Sequence, residues 1–262
     1  MQGRYMDFDI IKRHLPEGMT LTVLEEASST NRLLCEAARA GAGEALLVAK
    51  SQTEGKGRFD RRFYSPKDSG IYMSLLLRPV LDAARFPLLT PLAGAAVAEA
   101  VESVSGKRAG IKWVNDIYYN GKKLSGILAE GGFSPAPFAV IGIGINAYTP
   151  KALPEELKDT VGSVFGEGDG EDRREALLCE ILDRFFSYYR ALPSLAFMES
   201  YRRRSILIGK RVYVHNAAFD TAKTKEGRAA LCLGIDDGGA LLVRYENGEE
   251  AALSAGEVTL SL

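Results

Sequence analysis

The strongest short turn signal in this chain is Asn120-Gly121, set between the runs "IKWVNDIYY" and "KKLSGILAEGG". Both central residues of a type I′ turn need positive φ, which Asn and Gly tolerate, so the pair folds its flanks into a hairpin. A third apolar run, "FAVIGIGINAY", follows closely. Strands this close in sequence pair antiparallel, and any fold must be built around them. Further strands are expected at Leu21–Ala27, Glu44–Gln52 and Gly70–Pro79. One helix is expected over "SSTNRLLCEAARAGAG", with Ser29 or Thr30 as N-cap and Gly41 as its stop. A second is expected over "TPLAGAAVAEAVESVSG", with Thr90 as N-cap, Pro91 at the first helical position and Gly106 at the end. "EDRREALLCEILDRFFSYYRAL" reads as an amphipathic helix, and Met1–Met19 as irregular.

After "YRRRSILIG" the pattern changes to short strands joined by Asp-Gly and Asn-Gly turns: "KRVYVHN", "GRAALCLGID", "GALLVRYE" and "EAALSAGEVTL". The expected architecture is α+β, with a mixed or mainly antiparallel sheet and flanking helices, followed by a small all-β barrel. The division is expected between 1–204 and 205–262, a plausible split for 262 residues. Hydrophobic residues at 46% can fill a core of this size, and a formal charge of −1 argues against a dedicated nucleic-acid binder. Cys35, Cys179 and Cys232 form no CxxC pair, so a disulfide framework or a fixed metal site is not expected, and a reducing cytoplasm fits. His14 and His215 support no nucleophilic triad. No apolar run near the ~18 residues of a membrane span is expected, nor a signal peptide.

Three segments carry chemistry. The loop Thr53–Pro66 sets Lys56, Arg58, Arg61 and Arg62 against Asp60, with Gly55 and Gly57 allowing close backbone approach. Clustered cations beside exposed amides suit phosphate, although a solvated basic loop has the same composition. Such a loop, rich in glycine and like charge, is expected to be mobile when empty. The hairpin carries Lys112, Asn115 and Asp116 on one strand and Lys123 with the Ser125-Gly126 step on the other; a lone edge lysine also serves to blunt strand pairing. "GIGIN", Gly142–Asn146, lacks the third glycine of a dinucleotide fingerprint and points instead to close approach of a ligand or another backbone.

Together these segments resemble the biotin–protein ligase family. The family's loop, close to GRGRRGRxWxSP, stands here as Gly55-Lys56-Gly57-Arg58-Phe59-Asp60-Arg61-Arg62-Phe63-Tyr64-Ser65-Pro66. KWPND stands as Lys112-Trp113-Val114-Asn115-Asp116, and KxxGIL(x)E as Lys123 through Glu130. STN stands as Ser29-Thr30-Asn31, with Gln52 three residues before the loop and GIGIN closing the set. Lys56, Asp60, Phe63 and Val114 depart from the pattern, which puts affinity and loop rigidity in question more than reaction type.

The resemblance implies a class II synthetase-like biotin–lipoate ligase domain with a C-terminal SH3-like barrel. It implies a two-step reaction with biotin and ATP as substrates and Mg²⁺ shielding the leaving pyrophosphate. Lys123, Arg58 and Asp116 are the implied catalytic residues. Ser29, Thr30, Asn31, Gln52, Lys56, Gly57, Arg58, Trp113 and Lys123 are implied for biotin. Gly55, Lys56, Arg58, Arg61, Asn115, Lys123 and Asn146 are implied for ATP or the adenylate. The implied partner is the biotin acceptor domain of a biotin-dependent carboxylase, in the cytoplasm, with no nucleic acid and no membrane; a homodimer is compatible. The alternatives are a lipoate or octanoate ligase or transferase, a biotin-sensing repressor, and a non-catalytic module of the same fold. About 20 residues before the first strand leave no room for three helices of about 11 residues, so the form without a DNA-binding domain is expected.

Overall fold

The computed structural model describes residues 6–79, 85–133, 136–166, 172–215 and 227–260. The main sheet holds β1 (Thr20–Leu24), β2 (Ala45–Ala49), β3 (Gly70–Leu77), β4 (Gly110–Lys112), β5 (Asp116–Tyr119), β6 (Lys122–Gly132) and β7 (Phe138–Asn146). Their order is β1-β2-β3-β7-β6-β5-β4. β1 and β2 run parallel and the other neighbours antiparallel, the mixed, mainly antiparallel sheet expected. Asn120 at φ 49° and Gly121 at φ 76° make the β5–β6 turn.

The hairpin is more elaborate than the sequence reading. A turn at 113–115 breaks its first run, so Lys112 on β4 pairs across from Asp116 on β5 rather than preceding it on one strand. The Trp113–Val114 peptide bond in that turn is cis.

The central strands are apolar on both faces because both faces are covered. On one face, Ile71, Met73, Leu75, Ile127, Ile141, Ile143 and Ile145 join a core with α3 (Leu89–Ser105), α4 (Arg174–Arg190) and α5 (Ala196–Arg203). On the other, Leu47, Leu76 and Val140 pack against Leu34, Cys35 and Ala38 of α2 (Thr30–Arg39). Helix α2 covers only part of its face. Ser74 and Gly142 meet its first turn, and Gly144 and Gly126 lie beyond it, in register across β3, β7 and β6.

Helix α3 is apolar nearly all round, as a helix buried on every side must be. By length and composition alone, Phe86–Ser105 is long and apolar enough to cross a bilayer, but 67% of its apolar window is buried in this core. Its start also differs. A 3-10 turn, Phe86–Leu88, runs directly into the helix, so Leu88 rather than Thr90 is the N-cap position. Gly106, left-handed at φ 74°, ends the helix as expected. Two helices were not anticipated. α1 (Phe8–Lys12), capped by Asp7, buries Ile11, and α5 buries Phe197, Met198 and Tyr201. At five residues, α1 is too short to show a helical period.

The C-terminal sheet holds β8 (Arg211–His215), β9 (Arg228–Ile235), β10 (Leu241–Tyr245), β11 (Glu250–Leu253) and β12 (Glu257–Leu260), in the order β11-β10-β9-β8-β12. All its pairs are antiparallel, consistent with the small SH3-like barrel that the resemblance implies. Trp113 Nε1 donates to Gly239 O at 2.9 Å, tying the main sheet's turn to the barrel.

Candidate active site

The part of the sheet that α2 leaves bare is the floor of a cavity of about 250 Å³. Its polar wall comes from the start of α2. Ser29 caps the helix by accepting from Arg32 N, which brings Thr30 and Asn31 into the first turn. Gln52, just beyond β2, accepts from Thr30 N at 2.9 Å and donates through Nε2 to Ser65 Oγ at 3.0 Å. Asn31 Nδ2 donates to Leu128 O at 3.1 Å and to Glu130 Oε2 at 2.9 Å. Ser29, Thr30 and Asn31 are all buried, so hydrogen bonds must hold their polar atoms.

Glycine makes the floor possible. A Cβ on Gly142 would stand 2.1 Å from Asn31 Oδ1, and one on Gly144 would stand 2.6 Å from the Phe63 ring. The strand glycines were read as sites of close approach by a ligand or backbone. In this structure the approaching atoms belong to the protein's own side chains, Asn31 and Phe63. Phe63 lies over Gly126 and Gly144 and meets Tyr72 edge-on at 6.5 Å.

The Gly-Arg loop lines the same cavity and is tied to Gln52 through Ser65. It closes on itself through Gly57 N to Arg61 O (2.7 Å) and Phe63 N to Gly55 O (2.8 Å), with a 3-10 tip at Arg58–Asp60. Phe59, exposed at φ 54°, lies under the Arg58 guanidinium at 4.8 Å. Arg58 donates to Asn115 Oδ1 at 3.3 Å and to Gly256 O at 3.0 Å. Arg61 pairs with Glu257 Oε2 at 2.6 Å. Two loop cations are thus satisfied by the C-terminal barrel, which offsets the like-charge repulsion expected of the loop.

Beneath them, Lys123 Nζ stands 2.7 Å from Asp116 Oδ1. That oxygen is buried and accepts no directed hydrogen bond, so the contact is chiefly Coulombic. Burial pulls the Arg58 guanidinium below the usual arginine value, while Asp116 and Glu257 pull it back. Lys112 is lowered in the same way. Burial pushes the Glu257 carboxyl up, but the hydrogen bond from Arg61 together with the charges of Arg61, Lys112 and His215 outweighs it and leaves the group below its ordinary value. The cavity therefore combines neutral donors and acceptors with positive charge in its lining, and holds Asp116 and Glu257 among the cations.

The structure brings Ser29, Thr30, Asn31, Gln52, Lys56, Gly57, Arg58, Arg61, Trp113, Asn115, Asp116 and Lys123 to this one cavity. Trp113 lines it while also serving as core. Two expected residues lie elsewhere. Asn146 lines an adjoining cavity of about 180 Å³, which shares Arg62, Phe63, Tyr118 and Lys123 with the first. Gly55 lies outside both; a Cβ there would strike Phe63 O at 2.5 Å, so its close approach is to the loop itself. Sequence reasoning missed Ser74, whose signal was a lone hydroxyl within the buried strand "GIYMSLLL". It also missed Tyr118, Gly256 and Glu257, for which no local signal exists.

Residues 23–146 match the model of the biotin/lipoate A/B protein ligase family. The chain is 36% identical over 248 residues to the bifunctional ligase/repressor BirA of Bacillus subtilis, covering 91% of this chain and 73% of that protein. It is 32% identical to a biotin–[acetyl-CoA-carboxylase] ligase of Mycobacterium tuberculosis, covering 91% and 88%. Among solved structures, the biotin protein ligase from Aquifex aeolicus in complex with biotin and ATP matches with a TM-score of 0.76 and 27% identity, over 92% of this chain and 99% of that one.

Proposed function

This chain belongs to the biotin/lipoate A/B protein ligase family and is an ATP-dependent ligase; from that premise we propose that it activates biotin as biotinyl-5′-AMP and transfers it to a lysine of a biotin carboxyl carrier domain. One observation carries the reading: a single cavity is lined both by neutral hydrogen-bonding groups, Ser29, Thr30, Asn31 and Gln52, and by the cations Lys56, Arg58, Lys112 and Lys123. A ureido ring needs the first set of groups, and a carboxylate meeting a phosphate needs the second.

In the first step the biotin carboxylate oxygen attacks the α-phosphorus of ATP and pyrophosphate leaves. Negative charge accumulates on the phosphoryl oxygens in the transition state, where fixed cations act most strongly. We assign Lys123 to bridge the carboxylate and the α-phosphate, with Arg58 and Lys56 closing over the phosphates. The adjoining cavity lined by Asn146, Tyr118 and Phe63 shares Lys123 with the first, and we assign the nucleoside to it. Among the described residues no three acidic, histidine or cysteine side chains cluster to hold a resident metal. Asp116, with a buried oxygen free of directed hydrogen bonds, and Glu257 are hard oxygen donors that fit a Mg²⁺ carried in on the nucleotide. When bound, Mg²⁺ would neutralise charge on the leaving pyrophosphate.

In the second step an acceptor lysine amine attacks the anhydride carbonyl, AMP leaves, and the amine loses a proton, for which Asp116 is the proposed acceptor or orienter. The partner we propose is the acceptor domain of a biotin-dependent carboxylase, met in the cytoplasm. We place the domain division at 204/205, where residues 204–206 hydrogen-bond along the outer edge of β4 before the barrel begins. Lipoate, the rival substrate, carries no ureido group and would leave the polar wall without partners. Purified protein supplied with ATP and either biotin or lipoate, followed by mass spectrometry for the acyl adenylate, decides between them. A biotinyl adenylate with no lipoyl adenylate is expected; the reverse would replace the reading.

A further inference from the structure

Tyr201 does not line the cavity, and nothing in the reaction so far uses it. It is fully buried on α5, and its hydroxyl donates to Val114 O at 2.9 Å. Burial pushes its phenol up, so the group stays protonated and remains a donor. Gly94 of α3 makes room for the ring: a Cβ there would stand 3.3 Å from Tyr201 Cε2. Glycine is otherwise unfavourable in mid-helix, so the ring's place is built into the packing of α3 against α5.

The acceptor of this bond lies beside the site. Val114 O belongs to the peptide unit that enters Asn115, so its direction sets how Asn115 leaves the turn. That turn carries Trp113, Asn115 and Asp116, all of which line the cavity. On its other side Asn115 is held by Ile127, whose N donates to Asn115 O at 2.9 Å and whose O accepts from Asn115 Nδ2 at 3.0 Å. With Nδ2 committed to a carbonyl, Asn115 Oδ1 is turned to accept from Arg58 Nη1, at 3.3 Å. The bonds to Ile127 orient the amide, and the Tyr201 hydroxyl holds the peptide unit that enters it. The Arg58 contact is already longer than the usual N–H···O range, so a small further displacement of the turn loses it.

Helix α5 grips the second support of Arg58 as well. Arg202 donates through Nε to Ile235 O at 2.8 Å and pairs through Nη2 with Asp237 at 2.6 Å. Trp113 bonds Gly239 in the same barrel turn. Two adjacent residues thus hold the hairpin turn that carries Asn115 and the barrel that carries Gly256, the other acceptor of Arg58.

We infer that Tyr201 is a positioning residue: from the helical layer it fixes the 113–115 turn, and through Asn115 it holds Arg58 in place at the cavity. That Arg58 retains an adenylate rests on the reaction proposed above; that Tyr201 holds the turn does not.

The test uses the full chain. Tyr201→Phe removes the hydroxyl and keeps the ring. Tyr188→Phe is the control, because its hydroxyl is in the same helical layer but bonds Glu99 rather than the turn. Trp113 is the only tryptophan, so its fluorescence reports on the turn directly. Acrylamide quenching of the ligand-free protein is expected to rise in Tyr201→Phe and to match wild type in Tyr188→Phe. Labelled biotinyl adenylate, chased with unlabelled ligand, should leave Tyr201→Phe about three- to tenfold faster than wild type, the size of one neutral hydrogen bond, and Tyr188→Phe within about twofold of it. Biotin affinity should stay within about twofold in both variants, since neither touches the start of α2. On an Arg58→Gly background, Tyr201→Phe should add less than about twofold, because the residue it works through is gone. Unchanged release from Tyr201→Phe, an equal gain in Tyr188→Phe, or full additivity with Arg58→Gly would overturn the inference. If the wild-type protein forms no biotinyl adenylate, the proposed reaction fails and quenching alone decides the role of Tyr201: equal quenching in Tyr201→Phe and wild type overturns it.

Discussion

At the scale of single residues, Lys123 is held where two cavities meet, 2.7 Å from Asp116 and less than a third exposed. An ammonium so placed is fixed before any anion arrives, which makes its charge more effective than that of a mobile surface lysine. Lys123→Ala is expected to lower adenylate formation more than a hundredfold, the equivalent of one charge-assisted contact of about 3 kcal/mol in the transition state. Pyrophosphate release is the measurement, with circular dichroism to confirm the fold; a rate within threefold of wild type would remove Lys123 from the chemistry. Its place in the cavity was legible from the motif, and the hairpin set Asp116 on the facing strand, but their direct contact was not legible. Asp116 lies on the preceding strand, and a β-bulge between Ile117 and Tyr118 shifts the β5–β6 register there.

At the scale of elements, the Gly-Arg loop and the three-helix layer are braced differently. Arg58 spans the loop, Asn115 of the hairpin turn and Gly256 of the barrel. If it latches the loop over a mixed anhydride, Arg58→Gly should still form the adenylate but release it about ten- to a hundredfold faster, the cost of one charged hydrogen bond. A chase of bound labelled adenylate with unlabelled ligand measures this; equal release from wild type and variant places the latch elsewhere. In the helical layer, Glu99 of α3 accepts from Tyr188 OH at 3.0 Å, from Arg184 Nη1 at 3.0 Å and from Ser200 Oγ. Burial pushes its carboxyl up, and these donors outweigh burial to leave it below the ordinary carboxylate value. A depressed folded value stabilises the protein above the unfolded pKa of about 4.3, and the benefit is lost as pH falls through the folded value. Glu99→Gln should therefore cost about 1–3 kcal/mol near pH 7 and converge on wild type in strong acid. Thermal melts across that range test it, and a constant difference would show packing rather than charge.

At the scale of the whole molecule, the barrel is part of the site. Gly256, Glu257 and Val258 line or close the cavity although they lie near the C-terminus, and Trp113 bonds the barrel turn at Gly239. Trp113→Phe keeps an aromatic ring and removes one buried hydrogen bond. It should lower stability by about 1 kcal/mol, or about 2–4 °C in Tm for a chain of this size. Adenylate retention should fall with it, because Arg58 loses the fixed position of its acceptor. Unchanged retention alongside the stability loss would show that the barrel docks without Trp113.

The sequence by itself determined the elements whose signals are local. Asn120-Gly121 had to be a turn, Gly106 had to end a helix, and Ser29 or Thr30 had to cap one, because φ preference and capping act within a few residues. The motif order likewise marked Thr30, Gln52, Arg58 and Lys123. Only the tertiary structure decided that Thr90 would not cap α3, since the chain arrives there already helical. It also decided that Asn31, rather than a ligand or a strand, would fill the space at Gly142, and that Glu257 would pair with Arg61 across 196 positions of sequence. Those outcomes depend on which surfaces meet when the sheet, the helices and the barrel pack together. A contact between distant residues has no local pattern to announce it, because its energy exists only once the layers that carry both partners have closed.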